Sequence, residues 1–236
     1  MNHVKNVESY SRLVDICTGY GGKYNPGHPN LQIESLLSAL NGARQAQEAV
    51  RLAKTQFDRE VNSRKQAYVK LPSLASSILR TLSDYGASAE TMDDARYFVR
   101  QIRGYKNNDR APLPSTVGEV AKARRSLLQQ SYASRADHFS KLVLAVQAEP
   151  LYKAKEVMLN KAGLIRKVEE LASLNSKVSL AKVAWTNARV ERDRILYQDQ
   201  SSLLALQRGV KNYAYAVFGP TSTEYYQLRA LKFTLI

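Results

Sequence analysis

The chain has few of the residues that interrupt helices: its 236 residues include only 11 glycines and 7 prolines. Ala, Leu, Arg, Lys, Gln and Glu are plentiful instead, which disfavours a mainly β fold and favours helix along most of the length. Cysteine occurs once, as Cys17, so no intrachain disulfide can form and no pair of thiols stands at metal-ligand spacing. The histidines His3, His28 and His138 all lack a glutamate three residues earlier, which excludes the Glu-x-x-His pattern of bundle di-metal sites. No window approaches the ~18 apolar residues of a membrane span, and the opening MNHVKNVESYSRLV has no apolar core of the secretory kind. The expectation is a cytoplasmic protein without a cofactor, a metal or a transmembrane segment.

What the chain does have is apolar content and positive charge. At 44% hydrophobic residues it can build a sizeable core, and 35 basic against 21 acidic residues give a net charge of +14. Such an excess suits an acidic partner, nucleic acid or an anionic membrane surface. The charges are nevertheless interspersed, as in FDREVNSRKQ and NARVERDR, which is the pattern of a solvated helix face.

The chain also resembles itself. A shift of 128 positions lays Tyr24 on Tyr152, Leu31 on Leu159, Leu36 on Leu164, Val50 on Val178, Phe57 on Trp185 and Arg64 on Arg192. With a one-residue slip, Ser11-Arg12-Leu13-Val14 falls on Ser140-Lys141-Leu142-Val143, and VRQIRG (99–104) falls on LRALKF (228–233) after another. Between the copies lies YKNNDRAPLPSTVGE, whose Asn, Pro, Ser and Gly content marks a linker. The organisation expected is a first helical repeat over 1–104, a linker over 105–124 and a second repeat over 125–236.

Each copy carries one long periodic stretch. Alternating steps of four and three visit Leu164, Lys167, Leu171, Leu174, Val178, Ala181, Trp185, Ala188, Arg192 and Ile195, a heptad seam. The first copy puts Leu36, Ala39, Ala43, Ala46, Val50, Ala53, Phe57, Glu60, Arg64 and Ala67 at the same places. The seam predicts that Phe57 and Trp185 are buried. A helix of ~35–40 residues spans about 55–60 Å, so the fold expected is all-α: an elongated antiparallel helical bundle of two pseudo-equivalent repeats with long coiled-coil-like helices. Pro72 is expected to end the first long helix, with Ser73 capping the next, while Ser88 and Ser222 each precede acids in a first turn.

YNP at 24–26 before an Ala-rich helix, ARVERDRILY at 188–197, VKNYAYAVFG at 210–219 and LKF at 231–233 resemble a group of duplicated all-helical proteins predicted in Bacteroidota genomes. The resemblance implies a helical fold and carries no known chemistry. The second copy departs from it by reading YKAK at 152–155 where YNP would be expected.

Catalytic constellations are not found. GYGGKY at 19–24 lacks P-loop spacing and reads as a connector, and the adjacent acids Asp93-Asp94 and Glu169-Glu170 point different ways on a helix. Arg64 and Arg192 recur at one seam position. They can form an anion site, or pack their stems on apolar neighbours with an acid such as Glu60 or Glu191 in reach. Arg100 and Arg103, with Arg229 and Lys232, recur similarly and can meet phosphates or compensate helix dipoles. These six are the candidate anion or partner contacts. Tyrosines beside basic residues, as in YFVRQIRGYK and KNYAYAVF, suit either base stacking or surface helix packing. The function expected is non-enzymatic: a structural or scaffolding protein engaging protein partners or itself through its surface. The alternative is a basic helical protein that binds nucleic acid or an anionic membrane surface.

Overall fold

The computed structural model describes residues 2–104 and 131–234, and the expected linker at 105–124 lies outside them. The described residues are helical without a strand: α1 (Asn2–Gly19), α2 (Ile33–Val69), α3 (Leu71–Asp84), α4 (Ala89–Arg103), α5 (Tyr132–Ala148), α6 (Lys161–Asp193), α7 (Leu203–Phe218) and α8 (Thr223–Ala230). Short 3-10 turns at Gly21–Lys23 and Pro29–Leu31 join α1 to α2, and a π turn at Arg194–Gln198 prolongs α6. None of the seam positions read from the sequence is exposed, so the heptad count marks the inward stripe of both long helices.

The chain divides into two compact units, Met1–Phe57 with Ala181–Ile236, and Asp58–Leu180. Both boundaries fall inside long helices, so each unit draws on both the segment before the linker and the segment after it.

In the first unit, α1 turns Val7, Tyr10, Val14 and Cys17 inward at helical spacing, and all are buried. They meet Leu36, Leu40 and Ala43 of α2, Leu203, Leu206, Val210 and Ala214 of α7, and Leu228 of α8. Burying each large apolar side chain contributes roughly 1.5–3 kcal/mol before conformational entropy is counted. In the second unit, Leu71, Ala75, Ile78 and Leu82 of α3 pack with Met92, Ala95, Val99 and Ile102 of α4. Phe139, Leu142, Val143 and Val146 of α5 and Leu164 and Leu171 of α6 complete that core.

Serines open α4, α5, α7 and α8. Ser88, Ser131, Ser202 and Ser222 have extended backbone, and their side chains accept from the amides of Thr91, Ser134, Ala205 and Tyr225. Such caps contribute roughly 0.5–2 kcal/mol each. Ser73 does not cap: α3 starts at Leu71 after Lys70, and Pro72 sits in its first turn, where no helical N–H partner is needed. The α2–α3 junction is thus tighter than expected. Helix α6 is capped by Asn160, whose Oδ1 accepts from the Gly163 amide at 2.7 Å. A Cβ on Gly163 would lie 1.9 Å from the Val157 carbonyl oxygen, so the connector closes over this turn only because glycine stands there.

The connectors before the two long helices differ in backbone, yet share one bond. Tyr24 Oη donates to the Leu31 carbonyl at 2.8 Å, and Tyr152 Oη donates to the Leu159 carbonyl at 2.7 Å.

Candidate functional site

In the first unit, α1, α2 and α6 border a groove of about 570 Å³. Val4 of α1, Val50 of α2 and Trp185 of α6 give it an apolar lining. Around them stand five basic side chains, Arg44, Arg51 and Lys54 from α2 and Arg189 and Arg192 from α6, against one lining carboxylate, Glu48. Arg44 and Arg51 are seven residues apart, hence two turns along one face and about 10 Å in rise.

Each cation has a local anchor. Arg51 pairs with Glu48 through two bonds, one of 2.8 Å from Nε, and Arg192 holds Asp193 at 2.6 Å. Arg44 donates to the neutral Ser11 hydroxyl at 3.0 Å. Arg189 lies over the Trp185 ring at 5.5 Å, and Lys54 Nζ approaches the same ring at 5.3 Å. Beside them His3 Nδ1 is 2.9 Å from Tyr197 Oη. Burial and the neighbouring Arg192 hold the His3 imidazole below its ordinary pKa, outweighing the opposing influence of Asp193.

Phe57 and Trp185 stack at this place with centroids 5.5 Å apart. Both are half-buried, short of what the seam predicts, because α2 and α6 expose most of their residues around this level and each ring is covered chiefly by the other and by Lys54.

The six candidate residues are dispersed. Arg192 is buried at the groove with Asp193, not Glu191, as its partner; Glu191 instead pairs with Arg194. Arg64, in the second unit, places its guanidinium 4.2 Å from the Tyr132 ring centroid, and its Nε has no hydrogen-bond partner among the described residues. Arg100 and Arg103 are exposed in the last turn of α4, and Arg229 is exposed in the last turn of α8, positions that complement a helix dipole. Lys232 is exposed just past the end of α8. Arg103 also donates from Nε to Ser76 Oγ at 3.1 Å, beside Arg80 in a shallow serine-lined notch.

No protein-family model, curated protein or solved structure matches the chain. Among the described residues, no three His, Cys, Asp or Glu side chains gather as a metal site would require, and no helix is long and apolar enough to cross a membrane. Sequence reading missed Arg44, Arg51, Lys54 and Arg189 because they lie off the seam. A signal was present in the 128-residue shift itself, which places Ala172, Ser179 and Val61 opposite Arg44, Arg51 and Arg189.

Proposed function

We propose that the protein is a non-enzymatic helical scaffold of the cytoplasm that docks an acidic protein partner through apolar side chains on its surface. The observation that carries this reading is the set of exposed apolar residues between 144 and 165: Leu144, Leu151, Val157, Met158 and Ile165, the middle three 55–67% exposed. Exposed apolar residues mark an interaction surface where they adjoin, and these fall close together along the chain. Lys153 and Lys155 are exposed within the same stretch with one exposed carboxylate, Glu156, so the partner that fits carries an excess of carboxylates beside its apolar contacts. The 128-residue shift lays Lys23, Pro29 and Asn30 on Leu151, Val157 and Met158, so this run of apolar residues belongs to the second connector and not to the first.

The architecture we infer is an antiparallel bundle of two pseudo-equivalent repeats, 1–104 and 125–236, joined by the linker. It is supported by the paired tyrosine bonds and by exchanged ring contacts. Tyr24 meets Tyr213 of α7 at 5.2 Å and Tyr152 meets Tyr85 at the end of α3 at 5.7 Å, so each connector tyrosine touches a tyrosine of the other inferred copy. Phe57 and Trp185, one shift apart, touch each other.

The test is association with a partner purified from the native cells, compared across variants and salt. Leu151→Lys, Val157→Ser and Met158→Asn together should abolish it. Replacing Arg100, Arg103, Arg229 and Lys232 with Ala should leave it almost unchanged, because those residues already serve helix ends. Binding that falls steeply with salt and is lost only in the four-residue variant would overturn the scaffold in favour of nucleic-acid or membrane-surface binding.

A further inference from the structure

The basic groove of the first unit is not needed by the scaffolding reading, and it has the make-up of a ligand site. We propose that it binds a nucleoside phosphate, with Arg44, Arg51 and Arg189 meeting the phosphate and Trp185, Val4 and Val50 contacting the planar base.

Three observations converge. A volume of about 570 Å³ falls in the range of small-molecule sites, roughly 300–1,000 Å³, and the groove joins an apolar lining to charged groups as such sites do. Cations enter from two helices. Arg51 and Arg192 hold carboxylates, while Arg44 contacts a neutral hydroxyl and Arg189 a ring. Arg44 and Arg189 can therefore take a phosphate without first giving up an ion pair, whereas Arg51 has to be shared with Glu48. Finally, the basic residues are not what the long helices demand. Where the two copies agree, at Val50 and Val178 or Arg64 and Arg192, the positions lie on the packing seam. Where they disagree, Ala172, Ser179 and Val61 stand opposite Arg44, Arg51 and Arg189. The copy comparison rests on the duplication proposed above; the groove itself does not.

A nucleotide fits better than a bare anion because the lining includes an indole as well as cations: Phe57 already stacks on the Trp185 ring, and a planar base takes the place over it that Arg189 and Lys54 leave as they turn to the phosphate. It fits better than a carboxylate amphiphile because five cations stand around only three apolar lining residues, Val4, Val50 and Trp185.

Trp185 is the only tryptophan, so its fluorescence reports directly on the groove. Adenosine 5′-monophosphate should quench it saturably with a Kd on the order of 10–100 μM at low salt. Inorganic phosphate should compete at least tenfold more weakly, and a single-stranded oligonucleotide should bind no more tightly per site than the mononucleotide. The variant Arg44→Ala, Arg51→Ser, Arg189→Val carries the residues of the shifted positions and should keep its helical circular dichroism while losing at least tenfold in affinity. Glu48→Gln removes the lining carboxylate and should tighten binding. No saturable binding below about 1 mM, undiminished affinity in the folded triple variant, or weaker binding by Glu48→Gln would overturn the site. Equal competition by inorganic phosphate would overturn the role of the ring, and stronger binding of a long-chain carboxylate would overturn the ligand class. None of these outcomes bears on the apolar stretch at 144–165, so the scaffold reading stands or falls separately.

Discussion

Phe57 and Trp185 stack with their planes 24° from parallel, and the two residues are 128 positions apart, the interval of the sequence's self-similarity. Each rests on the residue that this shift lays over it. Because both rings are only half-buried, Trp185→Ala should cost about 1–3 kcal/mol, below the ~3–5 kcal/mol of a fully buried aromatic. A double-mutant cycle with Phe57→Ala in denaturant melts should return a coupling of about 0.5–1.5 kcal/mol. Additive losses would mean that the stack contributes nothing of its own.

The two tyrosine-to-carbonyl bonds make a matched pair of tests. Tyr24→Phe and Tyr152→Phe each remove one hydroxyl from a buried ring and leave one carbonyl without its donor. Each should cost about 0.5–2 kcal/mol, and the two losses should agree within ~0.5 kcal/mol if the positions are equivalent. A large loss for one and none for the other would separate the copies.

Gly163 has no such latitude, since the group its Cβ would strike is a backbone carbonyl that cannot swing aside. Gly163→Ala should destabilise by about 1–3 kcal/mol despite the better helix propensity of alanine. The contrasting change is at Gly42, also within a long helix, where nothing lies within 4 Å of the built Cβ. Gly42→Ala should stabilise by about 0.5–1 kcal/mol, and thermal melts of the two variants would show opposite shifts.

His3 ties stability to pH. Its folded pKa lies below the ordinary 6.5, so the unfolded chain binds the proton more readily. The stability His3 contributes is present above pH 6.5 and is lost as pH falls through the folded value. His3→Phe should flatten the fall in melting temperature on acidification from 6.5, and Arg192→Met should flatten it partly by removing a neighbouring positive charge. An unchanged pH profile in His3→Phe would place the acid sensitivity elsewhere.

The long helices were readable because a seam repeats over many turns, and no seam residue from Leu36 to Ala67 or from Leu164 to Ile195 is exposed. The serine caps at Ser88 and Ser222 were readable because the cap is a local side-chain-to-backbone bond. Ser73 misled because Pro72 is as acceptable inside a first turn as after a last one, and only the backbone decides. The groove was not readable: Arg51 of α2 and Arg189 of α6 are brought to it by tertiary packing, which periodicity along one helix does not encode.

The division into units has a consequence for the order in which the protein is made. Asp58–Leu180 is one continuous stretch, so all its contacts are available once that stretch has left the ribosome. The other unit waits for Ala181–Ile236 to join Met1–Phe57. Helix α1 is made well before α7 and α8, but its Tyr10, Leu13 and Cys17 share a core with Leu203, Val210 and Leu228 of those helices. Until α7 and α8 follow, α1 can pack only on earlier core residues such as Leu36, Leu40 and Ala43 of α2, and part of its oily face stays open. The nascent chain is exposed to misassociation along α1 until those later helices cover it.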